Sequence, residues 1–221
     1  MNASRNIAAD LRLDCHPGKE GKLLVFPYTV WNHGAIDAYV MDHSCSMETP
    51  VPSAKPNPQA VVVLHGPGDD VTVGKFIAPL PTDRRIAMPV IPLARLLAPG
   101  ATLEGRIEIP LPLAETSPYF ADLPLRQYEV VEVRGLMFAI GYWIAGVDGL
   151  AALPVEQAPE LFTVVTRHTV RSARLLTQHF PTRSLQLFRR TDQFPREIPG
   201  GFGFAAAEDN VMVSHGGHET G

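Results

Sequence analysis

The chain has 221 residues, of which 45% are hydrophobic, and a formal net charge of -4. That apolar content is enough to bury a core, and one β-sandwich domain over residues 1–199 is expected, followed by a C-terminal tail at 200–221 that lacks any apolar pattern. The mildly acidic balance gives no global electrostatic reason to seek nucleic acid or an anionic membrane.

Residues 1–15 lack the apolar stretch of a secretory signal, so a cytoplasmic setting is expected. The two cysteines, Cys15 and Cys45, are too few for a disulfide scaffold and read as reduced thiols. From 22 to 31 and from 35 to 42, β-branched and aromatic runs flank WNHG, which predicts a hairpin. Residues 47–59 read as an exposed Pro- and Ser-rich loop. A second hairpin is predicted from strands at 59–65 and 70–78 around HGPGDD, where Gly66 and Gly68 supply permissive φ values.

Leu93 to Ala98 reads as a helical turn stopped by Pro99 and Gly100, and Ser117 to Asp122 as another. Between them, residues 102–110 alternate, with Leu103, Ile107 and Ile109 apolar and Glu104, Arg106 and Glu108 polar, which predicts a strand. The stretch 128–145 reads as one strand or two. Within it Leu136, Phe138, Ile140, Tyr142 and Ile144 share one face, and Gly135, Met137, Ala139, Gly141 and Trp143 share the other. Both faces are fit for burial, either beneath a crossing segment of the same chain or against a partner. The run 135–147 holds three glycines and is well short of the roughly 20 residues of a spanning helix, so no membrane span is expected. Strands are predicted at 161–170 and 183–190, while Val170 to Phe180 fits a helix or a continuation of the preceding strand equally well. Many short strands and little helix predict an all-β, antiparallel two-sheet sandwich with one or two short helices.

Val61 to Asp70, VVVLHGPGDD, resembles the oxyanion loop of α/β-hydrolases, but that chemistry needs a G-x-S-x-G nucleophile turn, which the chain lacks. Cys15, His16, His43 and Cys45 offer two thiols and two imidazoles suited to zinc, although neither pair has the spacing of a zinc knuckle. His215 and His218 in the tail have no preorganised geometry. Asp69 and Asp70 fit a turn. No cofactor is expected, with zinc as the alternative. Arg167, Arg171, Arg174, Arg183, Arg189, Arg190 and Arg196 crowd the C-terminal third among Phe180, Phe188 and Phe194. Arginine with aromatic neighbours is typical of protein interfaces.

Val30 to Asn32 and Ala98 to Ile109 (A-P-G-x-x-x-x-G-x-I-x-I) resemble the generic wording of bacterial immunoglobulin-like sandwiches. The resemblance implies architecture only. The sequence thus points to a non-catalytic β-sandwich, an accessory or binding subunit that meets a protein partner or a second copy through Met137, Trp143, Arg167, Arg171, Arg174, Arg189 and Arg190. The alternative is a metal-binding protein or metal-dependent enzyme using the four Cys and His ligands.

Overall fold

The structure is a computed structural model that describes residues 10–45, 56–81, 86–120 and 124–191. The expected tail at 200–221, with His215 and His218, the residue Arg196 and most of the 47–59 loop lie outside them.

The first half of the chain forms β1 (Leu11–Cys15), β2 (Gly18–Glu20), β3 (Leu23–Asn32), β4 (Ala38–Cys45), β5 (Pro56–Asn57), β6 (Val62–His65), β7 (Asp70–Lys75), β8 (Leu93–Leu97) and β9 (Thr102–Pro110). The rest forms β10 (Leu113–Ala114), β11 (Tyr128–Ile144), β12 (Ala151–Val155), β13 (Ala158–Val165), a one-turn helix α1 (Thr169–Ser172) and β14 (Arg174–Arg190).

In the smaller sheet β3 is central. It pairs with β9 along nearly its whole length on one side, and with β1 and β2 in succession on the other. The alternation in β9 works as expected: Leu103, Ile107 and Ile109 are buried while Glu104, Arg106 and Glu108 face outward. Gly105 falls on the buried side because the Tyr28 ring occupies the place of its side chain, so β3 and β9 close over that ring.

The larger sheet runs β10-β14-β11-β4-β8-β13-β12, with β7 also on β11 and β6 on β7. It is mixed. The β7–β11 and β10–β14 pairs are parallel, which corrects the expectation of a purely antiparallel sandwich. The two sheets stack through Phe26 on one and Phe138 on the other, with ring centroids 5.2 Å apart and planes 15° apart. Around this pair lie Tyr28, Val30, Ile107, Val73, Ile140 and Leu187, all buried.

Two local readings differ from the expectation. First, the runs at 22–31 and 35–42 form no hairpin, because β3 and β4 belong to different sheets. Asn32 makes the corner: its side-chain amide donates to the carbonyls of Ile36 and Leu97, and its Oδ1 accepts from the Gly34 N–H. Second, Leu93 to Leu97 is a strand, since it is held between β4 and β13 by backbone pairing that a helix would forfeit. The open choice at Val170 to Phe180 is met on both sides: Thr169–Ser172 is the one-turn α1, and the chain from Arg174 is strand, because β14 pairs with β11 from Tyr142 back to Tyr128. The second hairpin does form, as β6 and β7, and closes through the Gly66 N–H on the Asp70 carbonyl.

The double-sided strand is β11, and it is continuous. Its Leu136, Phe138, Ile140, Tyr142 and Ile144 face the smaller sheet's core. On its other side Ala139 packs with Phe76 and Tyr119, and Trp143 with Ile77 and Ala173. Segments of the same chain cover both faces.

Candidate functional site

One edge of β11 is shared by two strands. β7 runs parallel to it up to the pair Lys75 and Ile140, and β4 runs antiparallel from the pair Val40 and Tyr142. At this fork the β4–β8 register slips between Met41 and His43, so Asp42 is the extra residue of a bulge. Bulges re-aim side chains, and here the carboxylate meets Lys75 from β7, Tyr28 from the opposite sheet and Arg95 from β8.

Lys75 Nζ donates to Asp42 Oδ1 at 2.9 Å and to Tyr28 Oη at 3.0 Å, and the Tyr28 hydroxyl donates to the same Asp42 oxygen at 3.0 Å. Amine, phenol and carboxylate therefore form a closed triangle. On the other carboxylate oxygen, Oδ2, Arg95 Nε lies at 2.9 Å and His43 Nδ1 at 3.2 Å, both at angles too poor for a hydrogen bond. Asp42 and Lys75 are each 4% exposed and Tyr28 3%, whereas the Arg95 side chain is 41% exposed and forms the outward side of the cluster.

Burial shapes each charge. It alone would raise the Asp42 pKa, but contact with His43, Lys75 and Arg95 outweighs it and holds the carboxyl well below its usual range. Burial lowers the Lys75 amine, against the pull of Asp42. The Tyr28 phenol is pushed up, first by burial and then by Asp42. The ammonium also sits 5.5 Å from the Tyr28 ring centre, a cation–π contact. An amine, a phenol and a carboxylate are thus in mutual contact, away from bulk water.

Of the four residues expected to hold a metal, the structure describes the side chains of Cys15, His16 and His43. Cys15 is fully buried, paired with Tyr28 across β1 and β3, and its backbone N–H donates to Gln178 Oε1 at 2.8 Å. Burial, with a smaller effect of Asp14, pushes its thiol up to about 12. His16 is exposed and lies 3.2 Å from Asp14, while His43 belongs to the Asp42 cluster. The Cys45 side chain lies outside the described set. Among the described residues, no three His, Cys, Asp or Glu side chains are grouped as metal ligands.

The expected interface residues are also spread. Trp143 is fully buried, its indole N–H donating to the Thr169 carbonyl at 3.0 Å, and Met137 is half-buried. Arg167, Arg171 and Arg174 are exposed near α1. Arg189 pairs with Glu129, its Nε 2.7 Å from the carboxylate, and Arg190 is buried over the Phe120 ring. Arg174 and Arg190 lie at opposite ends of β14, roughly 50 Å apart at strand rise, so the arginines do not form one patch.

In the hydrolase-like segment, Gly68 and Asp69 have φ 69° and 64°, as a tight turn requires, and the His65 N–H donates to the distant Glu115 Oε1. A cleft of 610 Å³ opens elsewhere, lined by Lys19, Lys22, Thr182 and Gln186 over Leu24 and Leu185, and it shares no residue with the Asp42 cluster.

Tyr28, Lys75 and Arg95 were missed from sequence. The available signal was a single charge inside an apolar run, as in VTVGKFI and AYVMDHS. No helix among the described residues is long and apolar enough to cross a membrane. Comparison of the chain with protein-family models, with curated proteins and with solved structures found no match in any of the three.

Proposed function

We propose that this chain is a non-catalytic β-sandwich of immunoglobulin-like character, an accessory or binding subunit that docks a protein partner along an exposed sheet edge. The observation that carries this reading is β12, the terminal strand of the larger sheet. Its sequence, Ala-Ala-Leu-Pro-Val, bears no charge. Natural edge strands are commonly guarded by lysine, by inward charges or by very short length, because their free N–H and C=O groups template pairing. Here the guarding devices are Pro154 and the register slip beside it at Val155, and Leu153 stands 59% exposed with Val165, 48% exposed, on the same face. Such an edge suits the addition of an extended segment from a partner, in which main-chain bonds give affinity and side-chain pockets give specificity.

The cytoplasmic setting belongs to the same proposal, supported by the buried free thiol of Cys15. The test is native mass spectrometry of untagged protein recovered gently from its own cells, beside a Leu153→Lys variant. A hetero-complex or dimer that the variant loses while staying folded is expected. A complex unaffected by Leu153→Lys would refute the docking edge, and a stoichiometric metal ion would refute the metal-free reading.

A further inference from the structure

We infer that Asp42 and Lys75 join covalently: the Lys75 amine attacks the Asp42 carboxyl carbon, an amide forms, one water leaves, and β4 and β7 become cross-linked inside the sandwich. The two residues are 33 positions apart in sequence and meet at the fork on β11, where two strands part from a shared edge. The amine is hydrogen-bonded to the carboxylate it would attack. Lys75 Nζ is 2.9 Å from Asp42 Oδ1, and both side chains are shut away from water. Fixing an amine against a carboxyl in this way replaces a slow bimolecular condensation by an intramolecular one of very high effective concentration. Exclusion of water also disfavours the reverse hydrolysis.

The hydrogen bonds supply the proton path. Lys75 donates to the Tyr28 oxygen, and the Tyr28 hydroxyl donates to Oδ1. A proton relayed along this line turns ammonium and carboxylate into free amine and carboxylic acid with no charge sent to solvent. The nitrogen lone pair then forms the N–C bond, and the C=O electron pair moves onto Oδ2, where Arg95 Nε and His43 Nδ1 lie. The Arg95 guanidinium charge beside that oxygen stabilises the tetrahedral intermediate. As the pair returns from Oδ2, the C–Oδ1 bond breaks and Oδ1 departs as water with a second proton from nitrogen, passed through Tyr28. Of the three ammonium protons, one stays on the amide and two leave in the water, so atoms and charge balance and no co-reactant is needed.

Arg95 and His43 hold the carboxylate ionised at rest, which opposes the first proton transfer. The Arg95 charge offsets this at the tetrahedral stage, where charge grows on the oxygen beside it. The lowered affinity of the buried Lys75 amine for its proton favours the transfer.

The test is the intact mass of the full chain under denaturing conditions, followed by tandem mass spectrometry of a protease digest. The expected mass is that of the sequence less one water, with the Asp42 and Lys75 peptides recovered as one branched species. Lys75→Arg keeps the charge, lacks the reactive amine and should restore the full mass. Tyr28→Phe should slow the loss of water at least tenfold. An unmodified mass after long incubation at neutral pH, or a lost water without the branched peptide, would overturn the cross-link. A Tyr28→Phe chain that condenses as fast as the parent would overturn the relay.

Discussion

Gly74 sits one residue before Lys75 on β7 and is the position at which the larger sheet is least tolerant of a methyl group. A Cβ built there would enter the carbonyl of Ala139 on β11 and come within 3.0 Å of its backbone nitrogen. Overfilling a packed core costs about 1–3 kcal/mol when side chains can shift, and here the obstacle is backbone, so Gly74→Ala should cost about 3 kcal/mol or more. Relief requires β7 to move away from β11 along a ladder of six residue pairs, Asp70 to Lys75 against Gly135 to Ile140. That movement also withdraws the Lys75 amine from Asp42. Gly18 is the control, because a Cβ there meets nothing within 4 Å. Gly18→Ala should change stability by about 0.5 kcal/mol at most. Guanidinium unfolding of the full chains, followed by tryptophan fluorescence, measures both. A Gly74→Ala penalty under about 1 kcal/mol would refute the close approach of the two strands and the placement of the cluster that depends on it.

Phe138→Ala removes the ring that joins the two sheets through Phe26 and Tyr28. It should cost about 4 kcal/mol in the same assay, and less than about 1.5 kcal/mol would contradict the sandwich contact. Asn32→Ala unties the β3–β4 corner by leaving the Ile36 and Leu97 carbonyls without their donor, for about 2–3 kcal/mol, again read by denaturant midpoint at constant slope. The folded Cys15 thiol has its pKa raised from 9.0 to about 12, so its contribution to stability is complete below pH 9 and is lost as pH rises toward 12. Unfolding measured from pH 8 to 12 should show that decline. Peptide mapping after treatment with a thiol reagent at pH 8 should find Cys15 unlabelled in the native protein and labelled once unfolded. Labelling of the native thiol would contradict its burial.

Strands were legible where periodicity and turn chemistry agreed. Residues 102–110 alternate cleanly because one face is buried and the other wet, and the β6–β7 hairpin carries its own glycine turn. The β3–β4 connection was misread because WNHG looks like a hairpin turn, whereas Asn32 uses its side chain to bind Leu97 and Ile36 and sends the chain into the other sheet. Leu93 to Leu97 has the composition of a helix, and only its neighbours β4 and β13 make it a strand. The buried cluster could not be assembled from sequence, since Tyr28, Asp42, Lys75 and Arg95 come from four strands and two sheets and meet through a bulge that no local pattern announces. The arginines crowded in the last third divide between the neighbourhood of α1, with Arg167, Arg171 and Arg174, and the far end of β14, with Arg189 and Arg190.

The docking edge is tested most directly by backbone amide hydrogen exchange on the untagged full chain, free and in the complex isolated from its own cells. Slowed exchange confined to Ala151–Val155 and the adjoining face of β13 in the complex is the outcome required by strand addition at β12. Unchanged exchange across β12, with protection elsewhere or nowhere, would contradict it.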